Sequence, residues 1–102
     1  MPGLDLMALL AIRRLGGHAA FGLAIRAELE THTGRGIRRS DAYVALDRLV
    51  EKGLVTSILG SPAVGRGGHA RRYFHVTPAG SEILETCTRA LASLSAREES
   101  SG

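Results

Sequence analysis

Arg38, Arg39 and Ser40 stand directly before a stretch of helical periodicity that carries Tyr43, Val44 and Arg48. Arg66, Arg71 and Arg72 follow further along the chain. These residue types suit one kind of chemistry. A guanidinium is a planar fork of N–H donors that matches a phosphate or the O6/N7 edge of guanine. A serine hydroxyl can reach a phosphate, and a valine methyl can meet the methyl of thymine. The charge is local: residues 35–72 hold eight basic side chains against three acidic ones, residues 1–34 three against three, and residues 73–102 two against four. The formal total is +3. A basic middle between neutral and acidic ends suits a polyanion, although an ordinary solvated arginine surface gives the same count.

Other chemistries fit poorly, and no catalytic residues, metal site or cofactor are expected. Gly65-Arg66-Gly67-Gly68-His69-Ala70 matches a dinucleotide fingerprint in spacing, but that loop must open a helix, and here a strand follows. Gly60 and Gly65 have the spacing of a phosphate loop, but Arg66-Gly67 stands where Lys-Ser/Thr is needed. His18, His32, His69 and His75 lack metal-ligand spacing. The single cysteine, Cys87, excludes an internal disulfide and reads as a packed thiol on an apolar stripe. No apolar run is long enough to span a membrane, so no membrane partner and a cytoplasmic location are expected.

The elements that must position the arginines follow from periodicity. Residues 4–15 place Leu4, Met7, Ala8, Ala11, Ile12 and Leu15 at helical spacing and stop at Gly16-Gly17. Residues 19–32 carry Phe21, Ile25 and Leu29, with Gly34 as a left-handed cap. A third helix starts at Ser40 as N-cap with Asp41 behind it. It turns Tyr43, Leu46, Leu49 and Val50 inward and Asp41, Val44, Ala45, Arg48 and Lys52 outward, and breaks at Gly53. Residues 54–59 and 71–76 read as strands joined by the glycine-rich loop 60–70. Arg72, Phe74 and Val76 lie on one face of the second strand. Thr77-Pro78 opens a last helix, with Thr77 as cap and proline in the first turn.

The order is helix, helix, helix, strand, loop, strand, helix. It predicts a mainly helical α+β fold of the winged helix-turn-helix type: three helices, a β-hairpin wing and a C-terminal dimerisation helix. Residues 1–77 form the winged domain, 78–96 the dimerisation helix and 97–102 a frayed tail. In the last helix Ile83, Cys87, Ala90 and Leu94, widened by Leu84 and Leu91, make a stripe broader than one small domain needs, which marks a homodimer interface.

The run Tyr43-x-x-Leu46-x-x-Leu49-x-x-x-Gly53-Leu54-Val55, followed by Arg71-Arg72-Tyr73-Phe74-His75-Val76-Thr77-Pro78-Ala79-Gly80, resembles the PadR family of transcriptional regulators. Phe21-Gly22-Leu23-Ala24-Ile25 resembles that family's second-helix motif, with Phe21 and Leu23 where tyrosines are common. Ser40-Asp41-Ala42 replaces the family's usual glycine-containing lead-in to the third helix. The resemblance implies a winged helix dimer whose third helix enters the major groove of duplex DNA and whose C-terminal helix dimerises. The expected contacts are Arg38, Arg39, Ser40, Tyr43, Val44 and Arg48 on the helix and Arg66, Arg71 and Arg72 on the wing.

The expected function is therefore sequence-specific binding of double-stranded DNA by a homodimeric regulator, with repression as the expected direction. Two alternatives share the architecture: a protein–protein adaptor that does not touch DNA, and a MarR-like regulator that answers to a small-molecule effector. The basic 35–72 segment favours DNA. Two tyrosines, two phenylalanines and no tryptophan give little support to a planar drug pocket.

Overall fold

A computed structural model describes residues 3–60 and 71–101, with side chains through residue 96. The elements are α1 (Leu4–Leu15), a 3-10 turn (Gly17–Ala19), α2 (Gly22–Thr33), α3 (Arg39–Glu51), β1 (Val55–Leu59), β2 (Arg72–Val76) and α4 (Pro78–Ser101). The loop 61–70, with Arg66 and His69, lies outside the described residues.

α1 occupies the middle of the fold and packs against α2, α3, β2 and α4. Its bounds are those its periodicity predicts. Its buried arc is wider than the predicted stripe: Leu9 is fully buried beside Leu4, Ala8, Ala11 and Ile12, while Met7 and Leu15 are half-buried. A helix covered by four neighbours needs apolar residues over most of its circumference. Gly16, at φ 63°, ends it, and its N–H bonds to the Ile12 carbonyl.

The second helix begins three residues later than predicted. After the 3-10 turn the chain runs extended through Phe21, φ −115° and ψ 162°. The Phe74 N–H donates to the Ala20 carbonyl at 2.9 Å, and Phe21 forms a bridge with Tyr73. Residues 20 and 21 thus extend the wing sheet, and that long-range pairing outcompetes local helix propensity. Gly34 caps α2 in the left-handed conformation at φ 68°.

The turn into α3 is held by side chains. The Ile37 N–H donates to a Glu30 carboxylate oxygen at 3.0 Å, and the Arg26 Nε donates to the Ile37 carbonyl at 2.6 Å. Ile37 itself is buried. α3 then starts one residue before the predicted cap. Arg38 is the N-cap residue, without a side-chain cap bond, and Ser40 lies exposed inside the first turn. Clamping of the Ile37 peptide sets the start of the helix, so no hydroxyl cap is required. Ala45, predicted to face outward, is buried with Ala42, Leu46 and Leu49, because α1 and α3 pack directly.

β1 and β2 pair antiparallel in the register Val55↔Val76 through Leu59↔Arg72, and the Gly60 N–H donates to the Arg71 carbonyl at 2.7 Å. Phe74 is the fully buried inward residue of β2. Thr77 joins the hairpin to α4: its hydroxyl donates to the Gly53 carbonyl at 2.7 Å and accepts from the Gly80 N–H at 3.1 Å. α4 runs on past the predicted end to Ser101 and projects from the domain, giving the described chain a longest dimension of 57 Å.

Candidate nucleic-acid interface

α3 presents its outer face through Ser40, Val44, Asp47, Arg48 and Glu51, all exposed, with Val44 at 48% near the centre. These positions share one side at the 3.6-residue period, opposite Ala42, Ala45, Leu46 and Leu49. Arg38 and Arg39 are exposed at the helix start, the end from which base edges are reached in helix-turn-helix proteins.

Tyr43 lies between α3 and the start of α2. A Cβ at Gly22 would stand 2.8 Å from Tyr43 Cζ, so only glycine leaves room for the ring. The fixed ring carries the Arg39 guanidinium 5.6 Å from its centroid. Tyr43 is half-buried and supports the arginine beside it.

The wing base is an aromatic and arginine stack. The Arg71 guanidinium sits 4.0 Å from the Phe21 centroid, Phe21 meets Tyr73 edge-on at 6.1 Å, and His18 meets Tyr73 at 5.4 Å. Arg72 lies 5.0 Å from the Phe74 centroid and donates through Nη1 to Asp47 Oδ1 at 3.2 Å. On the other side of α3, Arg48 stands 3.6 Å from an Asp5 carboxylate oxygen, and Lys52 stands 4.0 Å from the other.

The fold therefore gathers Arg38, Arg39, Ser40, Val44, Arg48 and Arg72 around one helix and one strand, with Arg71 held on Phe21. Arg66 falls in the undescribed loop. Phe21, Gly22, Asp5 and Asp47 went unrecognised in the sequence as shapers of this surface. Phe21 and Gly22 both sit in the motif quoted above, which does not by itself say what they touch. The two aspartates touch their partners only through tertiary packing, and no local pattern announces them. Among the described residues no group of three His, Cys, Asp or Glu side chains could hold a metal ion.

The predicted dimer stripe is split by the structure. Leu84 is 2% exposed and belongs to the chain's own core, so its place at a seam is corrected. The body of the domain covers the first turns of α4, and Leu84 is the residue pointing into it. Ile83 at 39%, Leu91 at 62% and Leu94 at 65% remain exposed, and Cys87 is half-buried.

Three packed helices, a two-stranded hairpin whose sheet picks up the chain before α2, and an outward-facing third helix define a winged helix fold. The chain belongs to the transcriptional regulator PadR-like family, whose sequence profile matches residues 9–86. It is similar in fold to a PadR family transcription regulator from Clostridium difficile, with a TM-score of 0.75 at 18% identity over 96% of each chain. A Streptococcus transcriptional regulator has a TM-score of 0.73 at 17% identity, covering 94% of this chain and 91% of its own. A PadR-like transcriptional regulator from Bacillus cereus has a TM-score of 0.72 at 19% identity, covering 93% and 89%. No curated protein is significantly similar in sequence. No helix among the described residues is long and apolar enough to cross a membrane.

Proposed function

We propose that this chain binds double-stranded DNA sequence-specifically as a homodimer, with α3 in the major groove and the wing on the adjacent backbone. The observation that carries the reading is the outer face of α3. Val44 stands exposed at its centre, Arg38 and Arg39 lie at its leading end, and Arg48 and Arg72 flank it from two different elements. A major groove admits one α-helix, and this helix carries both an apolar contact for a thymine methyl and guanidinium forks for guanine or phosphate.

The dimer is formed by α4 through Ile83, Cys87, Leu91 and Leu94. From residue 88 to residue 96 the helix is exposed throughout, and an exposed leucine pair on a projecting helix is best covered by a second copy. A two-fold pairing sets two α3 helices about one DNA turn, ~34 Å, apart or a multiple of it. A chromosome-binding role places the protein in the cytoplasm, with no membrane partner, and repression follows where the site overlaps a promoter. Selection of bound duplexes from a random pool tests this reading. The expected result is an inverted repeat with fixed spacing. Failure to retain any duplex at low salt favours the adaptor reading instead.

A further inference from the structure

We propose that Asp47 is a specificity-determining residue. Its carboxylate holds Arg72 where a DNA phosphate would otherwise sit, and it is compensated for letting go only where a cytosine amino group lies opposite α3. This rests on the DNA reading above.

Asp47 lies on the outer face of α3, one turn beyond Val44, with its side chain 63% exposed. It reaches across to β2 and accepts a hydrogen bond from Arg72 Nη1 at 3.2 Å, while the same guanidinium covers the Phe74 ring. The arginine is thus oriented before any ligand arrives. Asp5 plays a parallel part toward Arg48 and Lys52. Along α3 and its C-cap residue Lys52, Asp41, Asp47 and Glu51 balance Arg39, Arg48 and Lys52. A surface shaped for phosphate affinity alone would not set carboxylates among its cations.

Exposed ion pairs contribute little to stability, so folding does not account for the arrangement. Beside a polyanion the same pair has a large effect. On an arbitrary duplex, a phosphate that captures Arg72 competes with an intramolecular carboxylate at high effective concentration. It also leaves that carboxylate beside the backbone, where it recruits a cation and offsets part of the counterion release that drives binding. On a cognate site the freed carboxylate accepts a hydrogen bond from cytosine N4, the pairing open to an acidic side chain in the major groove.

The test compares wild type, Asp47→Asn, Asp47→Glu and Glu82→Gln on a duplex selected by the wild type and on a scrambled duplex, across a salt series. Glu82→Gln makes the same change of net charge on α4. Asp47→Asn is expected to bind the scrambled duplex about tenfold more tightly at low salt and to steepen its log–log salt slope by about 0.9, one phosphate's worth. Its preference for the selected duplex should fall at least about fivefold. Asp47→Glu should return both quantities toward wild type, and Glu82→Gln should leave them unchanged. Thermal melts confirm folding, and Asp47→Ser repeats the measurement should the asparagine variant melt early. An unchanged preference and slope in Asp47→Asn overturns the inference while the DNA reading stands. An equal response from Glu82→Gln also overturns it, since net charge alone would then suffice. A wild type that retains no duplex removes the DNA reading itself.

Discussion

Replacing Gly80 with alanine sets two effects of opposite sign against each other. Gly80 lies in the first turn of α4, and alanine is favoured over glycine in a helix by about 1 kcal/mol. Propensity alone therefore predicts a more stable protein. The surroundings predict the reverse. A Cβ at Gly80 would collide with the Leu54 carbonyl oxygen and approach Val76 Cγ1 at 2.9 Å and the Leu54 carbonyl carbon at 3.2 Å. The first obstacle is backbone, and it is already engaged: the Leu54 carbonyl accepts the Thr77 N–H at 3.0 Å. Neither rotamer change nor solvent can relieve the contact, so α4 must back away from the hairpin and loosen Leu84 in the core. Overpacking costs roughly 1–3 kcal/mol, and a clash with fixed backbone falls in the upper part of that range, so after the propensity gain a net loss of about 1–2 kcal/mol remains. For a domain of this size each kcal/mol moves Tm by about 4–8 °C, so Gly80→Ala should melt roughly 5–15 °C below wild type at matched concentration. Ala79→Gly, one residue earlier and exposed, should lose only about 1 kcal/mol or less. A Gly80→Ala protein that melts at or above the wild-type temperature would refute the close approach of α4 to the start of β1.

Thr77→Ala removes both the cap on the Gly80 N–H and the bond to the Gly53 carbonyl, and should cost about 0.5–2 kcal/mol in denaturant titrations. Leu91→Asp should convert a dimer to monomers by light scattering and weaken DNA binding with no DNA-facing residue changed; a variant that stays dimeric moves the interface off α4. Arg39→Ala should lose about 1–3 kcal/mol on the selected site and relax one base position, whereas Arg71→Ala should weaken selected and scrambled duplexes alike. Equal losses on all duplexes in both variants would end the division between a reading helix and an anchoring wing.

Several elements were legible in the sequence because they depend on neighbours in the chain. The bounds of α1, the left-handed cap at Gly34, the break after α3 at Gly53 and the Thr77-Pro78 opening of α4 all follow from local rules of capping and periodicity. The departures share a long-range cause. Residues 20 and 21 join a sheet whose partner strand lies far along the chain, so α2 starts late. Glu30 and Arg26 clamp Ile37, so Ser40 is not needed as a cap. Contact with α1 buries Ala45, and the domain body buries Leu84, although each sits on a face that periodicity leaves ambiguous. The arginines of the site could be picked out by type and clustering. Their partners could not, because Asp5 and Phe21 meet Arg48 and Arg71 only once the fold has formed.

The central claim is that α3 reads sequence, and competition binding at physiological salt tests it most directly. A labelled duplex selected by the wild-type protein is displaced by its unlabelled copy or by a scrambled duplex of equal length and composition. Specific regulators prefer their sites by about a thousandfold or more, and the account predicts a preference of that order, falling when Arg39 or Val44 is replaced. Equal displacement by the two competitors would contradict it, and the arginines around α3 would then serve only to hold a phosphate backbone.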